Sequence, residues 1–327
     1  MAYAAITGWG MYVPERILTN ADLEKMVDTS DEWIRTRTGI RERHIAGPAD
    51  LSSTMGATAA RQAIERAGIA PDDIDLIVCG TSSPDSPMPS TACLIQSHLD
   101  ATRAAPFDVQ AVCSGFVYSL VIGTQFILSG AAKTVVVVGT DMLTRYVDYT
   151  DRNTCILFGD GAGAVVLQAS AQPSGVLAFQ LGALPGTSEM LHVPGVNSHP
   201  LAADALPPDA QYMKMEGREV FKHAVRAMAE SSAEVLAKTG LSVEDIALLI
   251  PHQANLRMIE AVAKRLDMPM ERAIVNIDRY GNTSAATIPI AICEAFDAGR
   301  LHDGDNVLLT ACGGGLTWGS AVVKWGR

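Results

Sequence analysis

A duplication constrains this chain more than any other feature. Four short strand-like runs, Ile74–Cys79, Phe107–Val112, Thr134–Gly139 and Gly163–Leu167, are answered by Ile246–Pro251, Ala273–Asp278, Asn306–Ala311 and Ser320–Trp325. The first and third runs start 60 residues apart in both sets (74 to 134, 246 to 306). A helical pattern precedes each set, Leu51–Ala67 in one and Gly217–Lys238 in the other. Nearly all-apolar strands alternating with helices imply sheets covered on both faces. A repeat of about 160 residues, each copy a βα unit with its own sheet, predicts an α/β chain divided into 1–171 and 172–327. Between the copies, Gly182–Asp209 holds five prolines and reads as loop.

Composition agrees. At 327 residues the chain lies past the roughly 250–300 residues at which a single core stops growing. With 48% hydrophobic and only 19% charged residues, it is suited to a deeply buried core rather than disorder. A net charge of −11 argues against broad binding to nucleic acid or anionic membrane, though not against a local basic patch. The N-terminus lacks the basic and long apolar stretches of a signal peptide, and no segment reaches the ~20 residues of a membrane span. The expected setting is soluble and cytoplasmic. Six cysteines show neither a C-x-x-C pair nor zinc spacing, so free thiols and no metal are expected.

Three residues carry chemistry. Cys113 follows a strand and opens the apolar helix pattern Ser114–Leu128, where the positive end of the helix dipole favours a thiolate. His252 stands between the strand Ile246–Ile250 and the helix pattern Leu256–Leu266, a place for a base or a hydrogen-bond donor. Asn282, in Tyr280-Gly-Asn-Thr-Ser-Ala-Ala286, can donate to a developing negative oxygen. Taken singly, the bland readings compete: a buried thiol, a capping histidine and a Gly-Asn turn. The duplication places Cys113 and Asn282 after equivalent strands, with His252 after a neighbour, so all three can converge as a Cys-His-Asn site.

Competing motifs fail. Gly159-Asp-Gly-Ala-Gly163 precedes a strand and opens no helix, so it reads as a tight turn with close backbone approach rather than a dinucleotide fingerprint. Cys113 and His252 lie 139 residues apart (113 to 252), within the ~130–150 of papain-like proteases. That family's local cysteine signature is missing, and the duplicated pattern is foreign to it.

Nearly end to end, the chain resembles β-ketoacyl-acyl carrier protein synthase III, the initiating condensing enzyme of bacterial fatty acid synthesis. The resemblance rests on Asn20–Ile34, Arg37-Thr-Gly-Ile-Arg-Glu-Arg-His44, Phe158-Gly-Asp-Gly-Ala-Gly163, Pro251-His-Gln-Ala-Asn-Leu-Arg257, Gly281-Asn-Thr-Ser-Ala-Ala286 and Gly313-Gly-Gly-Leu-Thr-Trp-Gly-Ser320. It implies a thiolase-like fold, five αβαβα layers built from two similar halves, and a homodimer. It also implies that Cys113 is acylated by an acyl-CoA primer. His252 and Asn282 would then stabilise the enolate formed when malonyl-acyl carrier protein loses CO2. The oxyanion hole would be Cys113 and Gly314, and no cofactor would be needed beyond the two substrates. By the same resemblance Trp33 and Arg152 clamp the adenine of coenzyme A, Arg37 meets its phosphates, and Gly217, Phe221 and Asn255 line the pantetheine tunnel.

The acyl carrier protein is acidic, and an acidic enzyme needs a positive dock for it. Arg218, Lys222 and Arg226 recur at i, i+4, i+8 on one expected helix; Arg257, Lys264 and Arg265 lie on another. Such stripes are ordinarily solvated faces; beside a tunnel mouth they read as a landing site. Two departures from the family pattern leave primer choice open: Cys312 stands in place of an aromatic, and Met88 lies in the loop Pro84–Pro89, which by resemblance helps wall the acyl pocket across the dimer. A related acyltransferase or condensing enzyme of secondary metabolism and a non-catalytic partner subunit are the competing readings.

Overall fold

The computed structural model describes residues 3–195 and 209–326. The first half runs β1 (Tyr3–Tyr12), β2 (Ile17–Thr19), α1 (Asn20–Leu23), α2 (Asp31–Thr38), β3 (Glu42–His44), α3 (Ser52–Ala67), β4 (Leu76–Gly80), α4 (Thr91–Leu99), β5 (Ala105–Val109), α5 (Gly115–Leu128), β6 (Thr134–Met142), α6 (Arg152–Cys155) and β7 (Asp160–Ser170). The second runs β8 (Gly175–Ala183), β9 (Leu191–His192), β10 (Lys214–Met215), α7 (Gly217–Thr239), β11 (Leu248–Pro251), α8 (Leu256–Arg265), α9 (Ile277–Tyr280), α10 (Thr287–Asp297), β12 (Asn306–Gly313) and β13 (Thr317–Lys324).

The repeat is visible in the hydrogen bonding. One sheet has the order β1-β7-β6-β4-β5 and the other β8-β13-β12-β11. The pairs β1–β7 and β6–β7 are antiparallel, as are β8–β13 and β12–β13. The pairs β4–β6 and β11–β12 are both parallel. Each copy begins its sheet edge with a strand missed in the sequence, β1 and β8. Gly and Ala interrupt the apolar run in both, as Gly8 and Gly10 do in β1.

Alternation along the strands sets the layers. Val135 and Val137 of β6 face an inner core shared with Phe116 and Leu120 of α5, Ile288 and Ile292 of α10, and Val307 and Leu309 of β12. Val136 and Val138 face outward onto Ala60 of α3 and Ile95 of α4. On the far side, Leu249 and Leu308 meet Met228 of α7 and Ile259 of α8. The result is five layers, αβαβα, with α5 and α10 between two sheets. Each such buried side chain contributes about 2 kcal/mol of transfer free energy. This demands that α5 be apolar on nearly every face, and its sequence is.

Three expectations need correction. Ala273–Asp278 is not a strand: Ala273 makes a single parallel bridge to Leu249, and Ile277 already starts α9. Here the Gln253 side chain replaces the ladder, its Nε2 donating to Ile274 O at 3.0 Å and its Oε1 accepting from Asn276 N at 3.1 Å. Asp160–Gly163 is not a turn but the start of β7; the close approach it was expected to allow is present, since a Cβ on Gly159 would lie 2.3 Å from Tyr280 O. Finally, the stretch Gly182–Asp209 is not all loop, because Leu191 and His192 pair with Met215 and Lys214. Residues 196–208 of that stretch lie outside the described residues.

Candidate active site

Cys113 sits where β5 hands over to α5, but not directly at a strand end: β5 stops at Val109 and a short 3-10 turn, Val112–Ser114, carries the thiol. Val112 is held at φ +47°. This is a left-handed conformation that costs a β-branched residue of order 1–3 kcal/mol. The turn then aims Cys113 at the second half. Gly313 of β12 packs against it so closely that a Cβ there would lie 2.5 Å from Cys113 N.

Asn282 reaches the same place from the other copy. Its backbone is pinned to the first half, N–H donating to Leu157 O at 2.8 Å and O accepting from Gly159 N at 3.1 Å. Its side chain closes an Asx turn, Oδ1 accepting from Ser284 N at 2.8 Å. That contact fixes which way the amide faces. The oxygen is occupied, and Nδ2 remains as a donor with no acceptor among the described residues.

His252 lies just past β11, its N–H donating to Thr310 O at 2.8 Å. The ring is buried, and its Nδ1 lies 2.7 Å from Thr287 Oγ1. Thr287 Oγ1 in turn donates to Ser284 O at 3.0 Å. Ser284 Oγ donates to Cys113 Sγ at 3.4 Å. Ser284 therefore joins all three expected residues: its hydroxyl meets the thiol, its N–H the asparagine amide, and its carbonyl the threonine that holds the histidine. It sits at φ +52° and is fully buried. Ser284 lies within a quoted motif but has no expected role, although an asparagine commonly accepts from the N–H two residues on in an Asx turn.

Behind this cluster, Asp141 lies next to the end of β6. Its carboxylate accepts from the backbone N–H groups of Ser82, Ser83 and Ala285 and from the hydroxyls of Thr81 and Ser83. It thereby ties the first sheet to the turn that carries Ser284, and burial raises its pKa.

Burial also dominates the electrostatics of the reacting groups. It pushes the Cys113 thiol up to about 12, against the hydrogen bond from Ser284. Burial therefore works against the thiolate that the helix end is expected to favour. Burial alone lowers His252 to about 3, so its imidazole is neutral at physiological pH. All six cysteines are free, and Cys79, Cys155, Cys293 and Cys312 are likewise buried.

Cys113 and Gly314 share the wall of a cavity of about 590 Å³, with Leu143, Phe158, Leu191 and Met213 on its apolar side. The loop segment Pro84–Pro87 closes it, whereas Met88 is 80% exposed and off the wall. Cys312 packs into the outer cluster with Leu316 and Trp318.

Among the residues expected to hold coenzyme A, Arg37 and Arg152 both lie against the Trp33 ring, with guanidinium carbons 4.7 and 4.8 Å from its centroid. Arg37 is thus stacked on Trp33, and Arg152 already covers the ring. Asn255 caps α8, accepting from Arg257 N at 2.9 Å, and donates from Nδ2 to Arg37 O at 3.0 Å. Gly217 opens α7, and Phe221 on that helix is partly buried against the outer cluster. Arg218, Lys222, Arg226, Arg257, Lys264 and Arg265 are all exposed on α7 and α8, which pack together. Lys222 is near Glu219 at 3.6 Å and Arg226 pairs with Glu230 at 2.9 Å. Such exposed pairs hold side chains weakly.

Comparison with known proteins converges on one family. The sequence matches the family described as 3-oxoacyl-(acyl-carrier-protein) synthase III over residues 107–185 and its C-terminal counterpart over residues 236–325. The chain is 57% identical over 324 residues to the β-ketoacyl-(acyl-carrier-protein) synthase III of Roseiflexus sp. (strain RS-1), covering 99% of this chain and 98% of that one. It superimposes on the crystal structure of 3-oxoacyl-(acyl-carrier-protein) synthase III from Aquifex aeolicus VF5 with a TM-score of 0.93 at 48% identity, covering 98% of this chain and 100% of that chain. The priming β-ketosynthase from the R1128 polyketide biosynthetic pathway also shares the fold, with a TM-score of 0.92 at 34% identity over 99% of this chain and 96% of that one. With more than half its residues shared along nearly the whole of a curated relative, the chain belongs to the 3-oxoacyl-(acyl-carrier-protein) synthase III family.

Proposed function

We propose that this chain condenses an acyl-CoA primer with malonyl-acyl carrier protein, releasing CO2 and coenzyme A and leaving a 3-oxoacyl-acyl carrier protein. The hydrogen-bonded turn at Ser284, which gathers a cysteine, a histidine and an asparagine, carries the reading.

Cys113 is the nucleophile. With its thiol raised by burial, Cys113 gives up its proton as substrate arrives, and the departing coenzyme A thiolate takes one up. Sulfur attacks the primer thioester carbon, the bond to coenzyme A sulfur breaks, and the acyl group stays on Cys113. Cys113 N–H and the Gly314 backbone stabilise the tetrahedral oxyanion. Malonyl-acyl carrier protein then loses CO2. The enolate oxygen is held by Asn282 Nδ2 and His252 Nε2 in a site with little competing water. The enolate carbon attacks the acyl-Cys113 carbonyl, the Cys113 C–S bond breaks, and the released thiolate takes up from water the one proton that the reaction consumes overall. The chemistry as written uses no metal and no redox cofactor.

Trp33, Arg37 and Arg152 receive the nucleotide end of coenzyme A, with Arg152 moving off the Trp33 ring to admit adenine. Gly217, Phe221 and Asn255 border its pantetheine arm. The six exposed cations of α7 and α8 form the carrier dock. Neither nucleic acid nor membrane is part of the reading. The protein works in the cytoplasm as a homodimer, the exposed Met88 loop beside the cavity being the natural seat of a second subunit. We set the boundary between its two thiolase-like halves at 171/172, between β7 and β8. Likeness to a polyketide-priming enzyme favours a second reading, the same condensation feeding a secondary product.

Separating the half-reactions tests the roles. Cys113→Ala is expected to take up no acyl group yet still decarboxylate malonyl-acyl carrier protein. Asn282→Ala should be acylated and fail to decarboxylate. The reverse pattern would overturn the assignment.

A further inference from the structure

Two different oxygens gather charge in this reaction, and different groups meet them. The enolate oxygen belongs to Asn282 and His252. The tetrahedral oxygen, formed once in acylation and again in condensation, belongs to the backbone N–H groups of Cys113 and Gly314. Cys113 comes from the first half and Gly314 from the second, so the spacing of these donors depends on what joins the two copies there.

Two hydroxyls make that joint. Thr317 Oγ1, at the start of β13, lies 2.8 Å from Ala111 O, 3.3 Å from Gly314 O and 2.8 Å from Ser114 Oγ. Ser114 Oγ lies 2.7 Å from Ala111 O. Ala111 O also accepts from Ser114 N at 3.1 Å, the bond that closes the turn around Cys113. Of the two hydroxyls, that of Thr317 is the one within reach of both carbonyls. Gly314 is thus held on either side of its N–H: Gly313 pairs with Thr317 in the β12–β13 ladder, and the Gly314 oxygen meets the Thr317 hydroxyl. The far end of the same loop is fastened separately, Leu316 N donating to Thr187 Oγ1 at 2.6 Å.

Resting on the condensing reaction proposed above, we infer that Thr317 is a positioning residue: its hydroxyl, shared by Ala111 O and Gly314 O, fixes the spacing of the two N–H donors that stabilise the tetrahedral oxyanion. Donors of this kind work by being in place before charge develops, so a small displacement is costly in rate. The enolate site hangs on other supports. Asn282 is fixed by Leu157, Gly159 and Ser284, and His252 by Thr310 and Thr287. The Thr317 hydroxyl is bonded to none of these residues. Its loss therefore slows acyl transfer and leaves decarboxylation alone.

Thr317→Val keeps the shape and loses the hydroxyl; Thr317→Ser keeps the hydroxyl and loses the methyl. Acylation of Cys113 by acyl-CoA is followed by intact mass. Release of CO2 from malonyl-acyl carrier protein is followed in a Cys113→Ala background, and every variant is melted as a check on the fold. Thr317→Val is expected to acylate about tenfold more slowly, the worth of one hydrogen bond. KM for acyl-CoA should hold within about twofold, because the oxyanion forms only beyond the ground state. Added to Cys113→Ala, the same change should leave CO2 release within about twofold of that background. Thr317→Ser should acylate within about threefold of wild type. Should Thr317→Val fail to fold, Thr317→Ala carries the same expectations. Equal loss of acylation and CO2 release would mark a general disturbance of the fold and overturn the inference. So would wild-type acylation by Thr317→Val, or no recovery in Thr317→Ser. If the wild-type enzyme takes up no acyl group, or Cys113→Ala releases no CO2, it is the condensing reaction as assigned that has failed.

Discussion

Gly313→Ala is the perturbation whose effect follows most directly from the geometry. The new Cβ would stand 2.5 Å from Cys113 N, 3.0 Å from Ala111 O and 3.1 Å from Ser114 N. All three are backbone atoms of the turn that carries the thiol, so no rotamer change relieves the overlap. Gly313 is equally fixed, paired in the β12–β13 ladder opposite Thr317. Since ordinary contact begins at 3.4 Å, the two segments must part by about 0.9 Å (3.4 less 2.5). Overpacking of this kind costs about 1–3 kcal/mol. At this chain length that lowers Tm by roughly 2–6 °C. The catalytic loss is larger, because displacing a reacting atom by about 1 Å costs on the order of 100-fold in rate. The assay is the rate of acyl addition to Cys113, followed by intact mass after mixing with acyl-CoA, alongside a thermal melt. The expected variant is folded, melts a few degrees low and acylates about a hundredfold more slowly. Acylation at the wild-type rate would refute the claim that this contact places the nucleophile.

Titration offers a second test. With His252 depressed to about 3 in the fold, its contribution to stability is fully present above its ordinary pKa of about 6.5 and is lost as pH falls towards 3. Denaturant melts between about pH 4 and 7 should therefore show an acid limb that His252→Gln flattens. Because the Cys113 thiol stands at about 12, its alkylation by iodoacetamide in the free enzyme should keep rising through about pH 10. A plateau near pH 8.5, the ordinary cysteine value, would contradict the burial argument. Trp33→Ala should raise KM for acyl-CoA roughly five- to twentyfold, the scale of a lost ring–cation stack, and leave a short thioester lacking the nucleotide unaffected. Lys222→Glu or Arg257→Glu should weaken carrier-dependent condensation while sparing acyl transfer from coenzyme A. Equal loss of both activities would remove the docking role.

Much of this architecture was legible because duplication writes the same information twice. The spacing 74 to 134 and 246 to 306 located β4, β6, β11 and β12, and the sheets repeat one order. Ala273–Asp278 misled because an apolar run has the composition of a strand, and nothing local announces that a distant glutamine will occupy its hydrogen bonds. The edge strands β1 and β8 were lost to small residues that weaken the pattern where one side lacks a partner. At the site, Cys113, His252 and Asn282 could be picked out by position at element ends. Ser284 and Thr287 could not, since their importance lies in a carbonyl and a hydroxyl that meet the others only after the halves close. The burial that raises the Cys113 thiol was hidden for a related reason. A helix end is visible in sequence, whereas complete desolvation is a property of the packed core.

The most direct measurement follows one acyl group through the enzyme. The protein is mixed with a panel of acyl-CoAs, the mass added at Cys113 is recorded, and malonyl-acyl carrier protein is then supplied. The expected result is a single acyl adduct on Cys113 that disappears as CO2 and a 3-oxoacyl-acyl carrier protein form in equal amounts. An adduct that malonyl-acyl carrier protein leaves in place, or no adduct with any primer, would contradict the condensing function.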